Sequence, residues 1–214
     1  MQRDLEASRR NGIKVFAISY DSEDILRRFS EKYSIEYPLL SDQDSRVIRD
    51  FGVPYPGTYM VGEDGRVIDK SFFADHRTRE SVSDMLQESF SVLDVERGES
   101  RSFTTPHLEG HAYFASNTIR PSHLTMLTVE ISIADGYHIN GPEVPEGYVP
   151  LELALGENEG LVLEQAEYPE PQETYLDVLK ERLPTYSDRI VIKAKCKSFR
   201  TDEGTAQIPV RLSY

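Results

Sequence analysis

Ile13-Lys14-Val15-Phe16-Ala17-Ile18-Ser19 is a nearly continuous apolar run, and its surroundings decide the fold of the first half of the chain. A run of this length, rich in β-branched and aromatic side chains, predicts a strand buried on both faces of a parallel sheet. Before it, residues 2–11 are charged and carry few helix breakers, and Asn11-Gly12 supplies a helix stop. After it, Asp21 or Ser22 caps a helix in which Ile25, Leu26, Phe29 and Tyr33 form one stripe. A short strand follows at Pro38 to Leu40. Asp42 or Asp44 then opens a short helix with Val47, Ile48 and Phe51 facing inward.

Further along, Thr58 to Val61 and Arg66 to Phe73 flank Gly62-Glu63-Asp64-Gly65, whose Asp-Gly pair is a strong hairpin signal. Val82, Met85, Leu86, Phe90 and Leu93 give a last amphipathic helix. The order β-α-β-α-β-β-α predicts a mixed sheet with helices on its faces, an α/β domain over residues 1–96.

A polar linker is expected at 97–104, and beyond it the period changes to two. Val129, Ile131 and Ile133 alternate with Thr128, Glu130 and Ser132. Leu151, Leu153 and Leu155 repeat the pattern, as do Ile190, Ile192, Ala194 and Cys196 against Val191, Lys193 and Lys195. Ala206, Ile208, Val210 and Leu212 close the series. Such strands, separated by Gly/Pro turns, predict an antiparallel, immunoglobulin-like β-sandwich over 105–214. The acidic, proline-bearing segment from Glu164 to Asp188 reads as a long loop with one helical turn at Tyr175 to Lys180.

The 214 residues suffice for two ordinary domains, and 38% hydrophobic content suffices for packed cores. A net charge of −13 argues against nucleic acid and anionic membrane surfaces, which both attract Lys/Arg clusters. No apolar stretch approaches the roughly 20 residues that span a bilayer. Met1 to Asn11 is too charged for a signal peptide. One cysteine, Cys196, excludes an internal disulfide. Its place in the alternation puts it on the core face, where a thiol acts as a small hydrophobe; as a reactive group it is the weaker reading.

His107 and His111 are four apart, as zinc ligands on a helix are, but Pro106 and Gly110 favour a loop and no metal site is expected. Asp75-His76 reads as a solvated turn. His138 reads as surface decoration, or as lining for a groove if the sandwich binds a partner. The acidic clusters at Glu157-Asn158-Glu159 and Glu164 to Glu173 lack calcium-loop spacing. No Gly-rich phosphate loop and no Ser/His/Asp arrangement stands out, so no cofactor is expected.

The series Ile13 to Ser22, Tyr37-Pro38-Leu39-Leu40-Ser41-Asp42, Phe51-Gly52-Val53 and Tyr55-Pro56-Gly57-Thr58-Tyr59-Met60-Val61, ending at Asp64-Gly65, resembles the AhpC/TSA redoxin or peroxiredoxin family. The resemblance implies a thioredoxin-like fold and a cysteine thiolate that attacks a peroxide. In the family that cysteine sits in a Pro-x-x-x-Thr/Ser-x-x-Cys segment, upstream of the helix that here occupies residues 2–11, and the segment is absent. Many peroxiredoxins also carry an arginine where Pro56 stands. The resemblance makes Pro56, Gly57 and Thr58 the candidate wall of an active site, with Pro56 either in the part of the superfamily's cis-proline or an ordinary turn proline entering an edge strand.

Thr105-Pro106-His107-Leu108, Leu124 to Ile131, Asp135-Gly136-Tyr137-His138-Ile139-Asn140 and Ile208 to Tyr214 resemble the N-terminal sandwich of the DsbD thiol:disulfide interchange family. That implies electron relay between thiols and a thioredoxin-like or other thiol-redox partner, in bacterial cytoplasm or periplasm. The expectation is therefore a fragment of a thiol-dependent oxidoreductase, thioredoxin-like and incomplete at its N-terminal edge, inactive as given. A missing edge should expose apolar surface and favour self-association. The alternative is a non-catalytic docking protein on a degenerate redoxin fold.

Overall fold

The computed structural model describes residues 4–53, 56–73, 78–90, 92, 99–116, 118–158 and 160–214. Two compact units divide the chain, Met1–Glu96 and Arg97–Tyr214.

In the first unit, helix α1 (Leu5–Arg10) ends where Asn11 turns its amide back onto the Ala7 carbonyl and Gly12 takes a φ of +71°. Strand β1 (Ala17–Ser19) leads to α2 (Glu23–Tyr33), β2 (Leu39–Ser41) and α3 (Arg46–Asp50). β1 and β2 are parallel, with Ile18 opposite Leu40. Asp42 organises α3: its carboxylate accepts from the N–H groups of Arg46, Val47 and Ile48 at 3.0, 3.2 and 2.9 Å. Those bonds, the one from Ile48 foremost, hold its carboxyl below the usual carboxylate range.

Strands β3 (Gly57–Val61) and β4 (Val67–Phe72) form the expected hairpin over a turn in which Gly65 has φ +80°. A two-residue strand β5 (Arg79–Glu80) precedes α4 (Val82–Phe90). Ala7 of α1, Leu86 of α4 and Val92 form this unit's buried cluster, with Ile13, Val82 and Phe90 against it. Leu93 and the Asp75-His76 turn lie outside the described residues.

Three expectations for this unit need correction. The single mixed sheet is instead two separate two-stranded sheets, β1–β2 and β3–β4. Among the described residues no strand bridges them, so neither pair gains a second neighbour. The run Ile13 to Ser19 is a strand only at 17–19, and Phe16 and Ile18 are half exposed rather than buried. Of the α2 stripe only Leu26 is buried, and Phe51 is exposed.

The second unit is all β. Strands β6 (Arg101–Thr104), β7 (Leu108–Phe114), β8 (His123–Ile133), β9 (Ile139–Asn140), β10 (Glu152–Leu155), β11 (Leu161–Glu167), β12 (Gln172–Leu176), β13 (Glu181–Tyr186), β14 (Arg189–Ser198) and β15 (Val210–Ser213) follow one another. The main sheet runs β11-β14-β8-β7-β6, antiparallel throughout. A second sheet runs β12-β13-β9, and β10 pairs with β15. Leu127, Val129, Ile131 and Ile133 of β8 meet Ile190, Ile192, Ala194 and Cys196 of β14 in one core, closed by Leu151, Leu153, Leu161 and Tyr186.

Two further corrections apply here. Residues 101–104, assigned to the linker, form β6, because Phe103 packs its ring over Gly110 of β7. The loop expected from Glu164 to Asp188 is largely strand. β11 continues to Glu167, and β12 and β13 form a hairpin whose turn occupies 177–180; the expected helical turn is reduced to the Lys180 N–H donating to the Leu176 carbonyl at 2.7 Å. Pro184 is tolerated in β13 because β9 pairs only with the next two residues, Thr185 and Tyr186.

Candidate functional site

Pro56, Gly57 and Thr58 open β3 at the surface, Pro56 and Gly57 exposed and Thr58 half buried. The Tyr55–Pro56 bond involves a residue outside the described set. Gly57 is there for space. A Cβ on it would lie 2.2 Å from Phe72 Cδ1 and 2.8 Å from the Ser71 carbonyl oxygen. The Phe72 ring then meets Tyr59 edge-on at 5.0 Å, and Tyr59 meets Phe51 at 5.3 Å, with the Tyr59 hydroxyl donating to the Phe51 carbonyl. Pro56, Gly57 and Thr58 thus sit on a braced surface. None of the three has an ionisable side chain, and the first unit contains no cysteine.

Cys196 lies in the second unit at 0% exposure. It faces the core from β14, opposite Thr125 of β8 and Leu163 of β11, with its Sγ 3.8 Å from the Ala194 carbonyl. No solvent-borne peroxide or disulfide reaches that sulfur while the core is closed.

The histidines part company. His111 on β7 turns to Glu130 of β8, with its Nε2 3.5 Å from Oε1. His107, in the β6–β7 turn, stacks on Tyr137 with ring centroids 3.8 Å apart. Among the described residues no group of three or more His, Cys, Asp or Glu is placed to hold a metal ion.

Around the His107–Tyr137 pair the backbone is firmly tied. The Thr105 N–H donates to the Leu108 carbonyl at 2.7 Å, and the Leu108 N–H donates to Thr105 Oγ1 at 3.1 Å. The Ala134 N–H donates to the His107 carbonyl at 2.9 Å, joining the two turns. They border a half-open cavity of about 210 Å³ lined by Thr105, Pro106, His107, Leu108, Ile133, Tyr137, His138, Ile139 and Tyr214. The three stretches involved are separate in the chain and meet only through strand pairing, so linear spacing carries no sign of the cavity. His138, which reads from the sequence as surface decoration or as groove lining if the sandwich binds a partner, is among the lining residues.

Residues 1–70 match the model of the AhpC/TSA family. Peroxiredoxin Q, chloroplastic, of Suaeda salsa is 36% identical over 70 residues, covering 29% of this chain and 33% of that protein. Peroxiredoxin Bcp of Escherichia coli K12 is 29% identical over 91 residues, covering 36% of this chain and 57% of that protein. The chain thus spans about a third of the length of the first relative and little more than half of the second. Among solved structures, the N-terminal periplasmic domain of ScsB from Proteus mirabilis aligns with 53% of this chain and 47% of its own length, at 18% identity and a TM-score of 0.36. No helix among the described residues is long and apolar enough to cross a membrane.

Proposed function

We propose that this chain is the later part of a redoxin domain joined to a DsbD-like β-sandwich, and that it serves a thiol-dependent oxidoreductase as scaffold and docking surface. The reacting thiol is not its own. The observation that carries this reading is Cys196: the sole cysteine is fully buried in the core, while the segment matching a peroxide-reducing family has no cysteine. A thiol shielded from solvent does not ionise readily and does not meet its substrate.

Support comes also from the β1–β2 pair. Parallel strands are ordinarily covered on both faces, yet Phe16, Ile18, Tyr20 and Leu40 stand between 44% and 69% exposed. Leu40 lies beside Ile18 in register, and Phe16 and Tyr20 flank the two ends of β1. A redoxin domain lacking a strand and its covering helix presents such a face. The same exposure favours the second reading, a non-catalytic docking protein, in which a partner covers this surface.

Hydrogen peroxide consumption with a thiol reductant tests the proposal. The purified chain should consume none above buffer. Turnover that is lost in both Cys196→Ser and Cys196→Ala, with folding retained by circular dichroism, would overturn it.

A further inference from the structure

We infer that the cavity between the β6–β7 turn and the β8–β9 turn is a binding site for one uncharged planar aromatic ring. Its floor is apolar: Leu108, Ile133 and Ile139 are all buried. Its rim is aromatic, formed by His107, Tyr137, His138 and Tyr214, all exposed. Such a combination, an apolar base under ring faces and edges, takes an aromatic guest by offset stacking or edge contact.

Size and charge narrow the guest. About 210 Å³ is below the roughly 300–1,000 Å³ typical of cofactor and drug-sized sites, which leaves room for one ring and excludes a nucleotide or a haem. No acidic, lysine or arginine side chain lines the cavity. With the rim imidazoles of His107 and His138 in their neutral form, a charged ring would therefore shed its water without a side-chain counter-charge to replace it. The site is also preformed: the Thr105–Leu108 bonds and the Ala134–His107 bond hold both turns whether or not a guest is present. Binding then costs little ordering of the protein.

Two sources supply such a ring: a free small molecule, or a tyrosine or phenylalanine side chain on a partner polypeptide. β6 ends the main sheet and leads directly into Thr105, so an extended polypeptide adding to that edge would bring a side chain to the cavity mouth.

The test is titration of the full chain with 4-methylphenol, with benzoate and with a capped pentapeptide carrying a central tyrosine. The His107 and His138 ring resonances are followed by NMR. Saturable shifts are expected with 4-methylphenol, with benzoate at least fivefold weaker. Tyr137→Ala and His107→Ala, both at exposed positions, should each weaken binding about tenfold. Peptide binding at least tenfold tighter than 4-methylphenol assigns the ring to a polypeptide; equal affinity assigns it to a free small molecule. Non-saturable shifts, indifference to both substitutions, or benzoate binding as well as 4-methylphenol would overturn the site.

Discussion

Glu130 on β8 accepts a hydrogen bond from the guanidinium of Arg189 on β14, tying two neighbouring strands of the main sheet through their side chains. The Tyr113 hydroxyl donates to the other carboxylate oxygen at 3.1 Å, from β7. Burial pushes the Glu130 carboxyl up, but the bonds from Arg189 and Tyr113 and the charges of Arg189 and His111 push it further down, so the net direction is below its ordinary 4.5. A carboxyl depressed in the folded state stabilises fully above its unfolded value, and that contribution disappears as pH falls through the folded one. Acid unfolding of the second unit should therefore set in below about pH 4.5, and Glu130→Gln should flatten it. At pH 7 the same substitution should cost about 1–2 kcal/mol by urea denaturation, because Arg189 is largely exposed and regains water. An unchanged acid profile would remove Glu130 from this role.

Cys196 should be silent to thiol reagents in the folded chain and react with one equivalent on unfolding. Ellman's reagent with and without urea reads this directly. Cys196→Ser places a hydroxyl in the buried core, opposite Thr125 of β8 and Leu163 of β11, and should cost about 1–3 kcal/mol. Cys196→Ala should cost less, since it leaves a small gap and no polar group. Rapid labelling without denaturant would mean that the core opens around this strand.

The period-two reading placed Cys196 on the inward face correctly because β14 is a long strand between two partners, where alternation is enforced on every residue. The Ile13 to Ser19 run misled for the opposite reason. Its composition specifies a doubly buried strand, but composition cannot supply neighbours, and with β2 alone beside it among the described residues the strand shrinks to three residues. The β12–β13 hairpin was missed because β12 is short and mostly exposed, while β13 buries Leu183, Thr185 and Tyr186 around Pro184, so no clean apolar alternation marks either strand. The site followed the same rule. Individual residues such as His138 were visible, whereas the convergence of His107, Tyr137 and Tyr214 depends on long-range pairing.

The bare face of β1–β2 has a consequence in solution. Ile18 and Leu40 on this small sheet, with Phe16 and Tyr20 at the ends of β1 and strand edges that no described residue pairs, form a surface that associates. Sedimentation velocity should show self-association rising with concentration. Ile18→Lys, at a position 46% exposed, should reduce it without destabilising the fold. A chain that stays monomeric over a hundredfold concentration range would contradict the expectation.

Gly110 is the position at which substitution should do most damage for least added mass. In isolation it resembles a loop glycine, yet it lies within β7, flanked by β6 and β8. A Cβ there would sit 2.2 Å from the Glu130 carbonyl oxygen and 2.7 Å from the Phe103 ring. The ring can swing aside, but the carbonyl belongs to the central strand and is held by its ladder. Gly110→Ala should thus cost about 3 kcal/mol or more, at the upper end for overpacking a closed site. Adding Phe103→Leu should recover only a small part, because it relieves the ring contact and leaves the backbone contact. Full recovery in the double variant, measured by urea midpoint at unchanged slope, would show that Phe103, and not the β8 backbone, dictates glycine at this position.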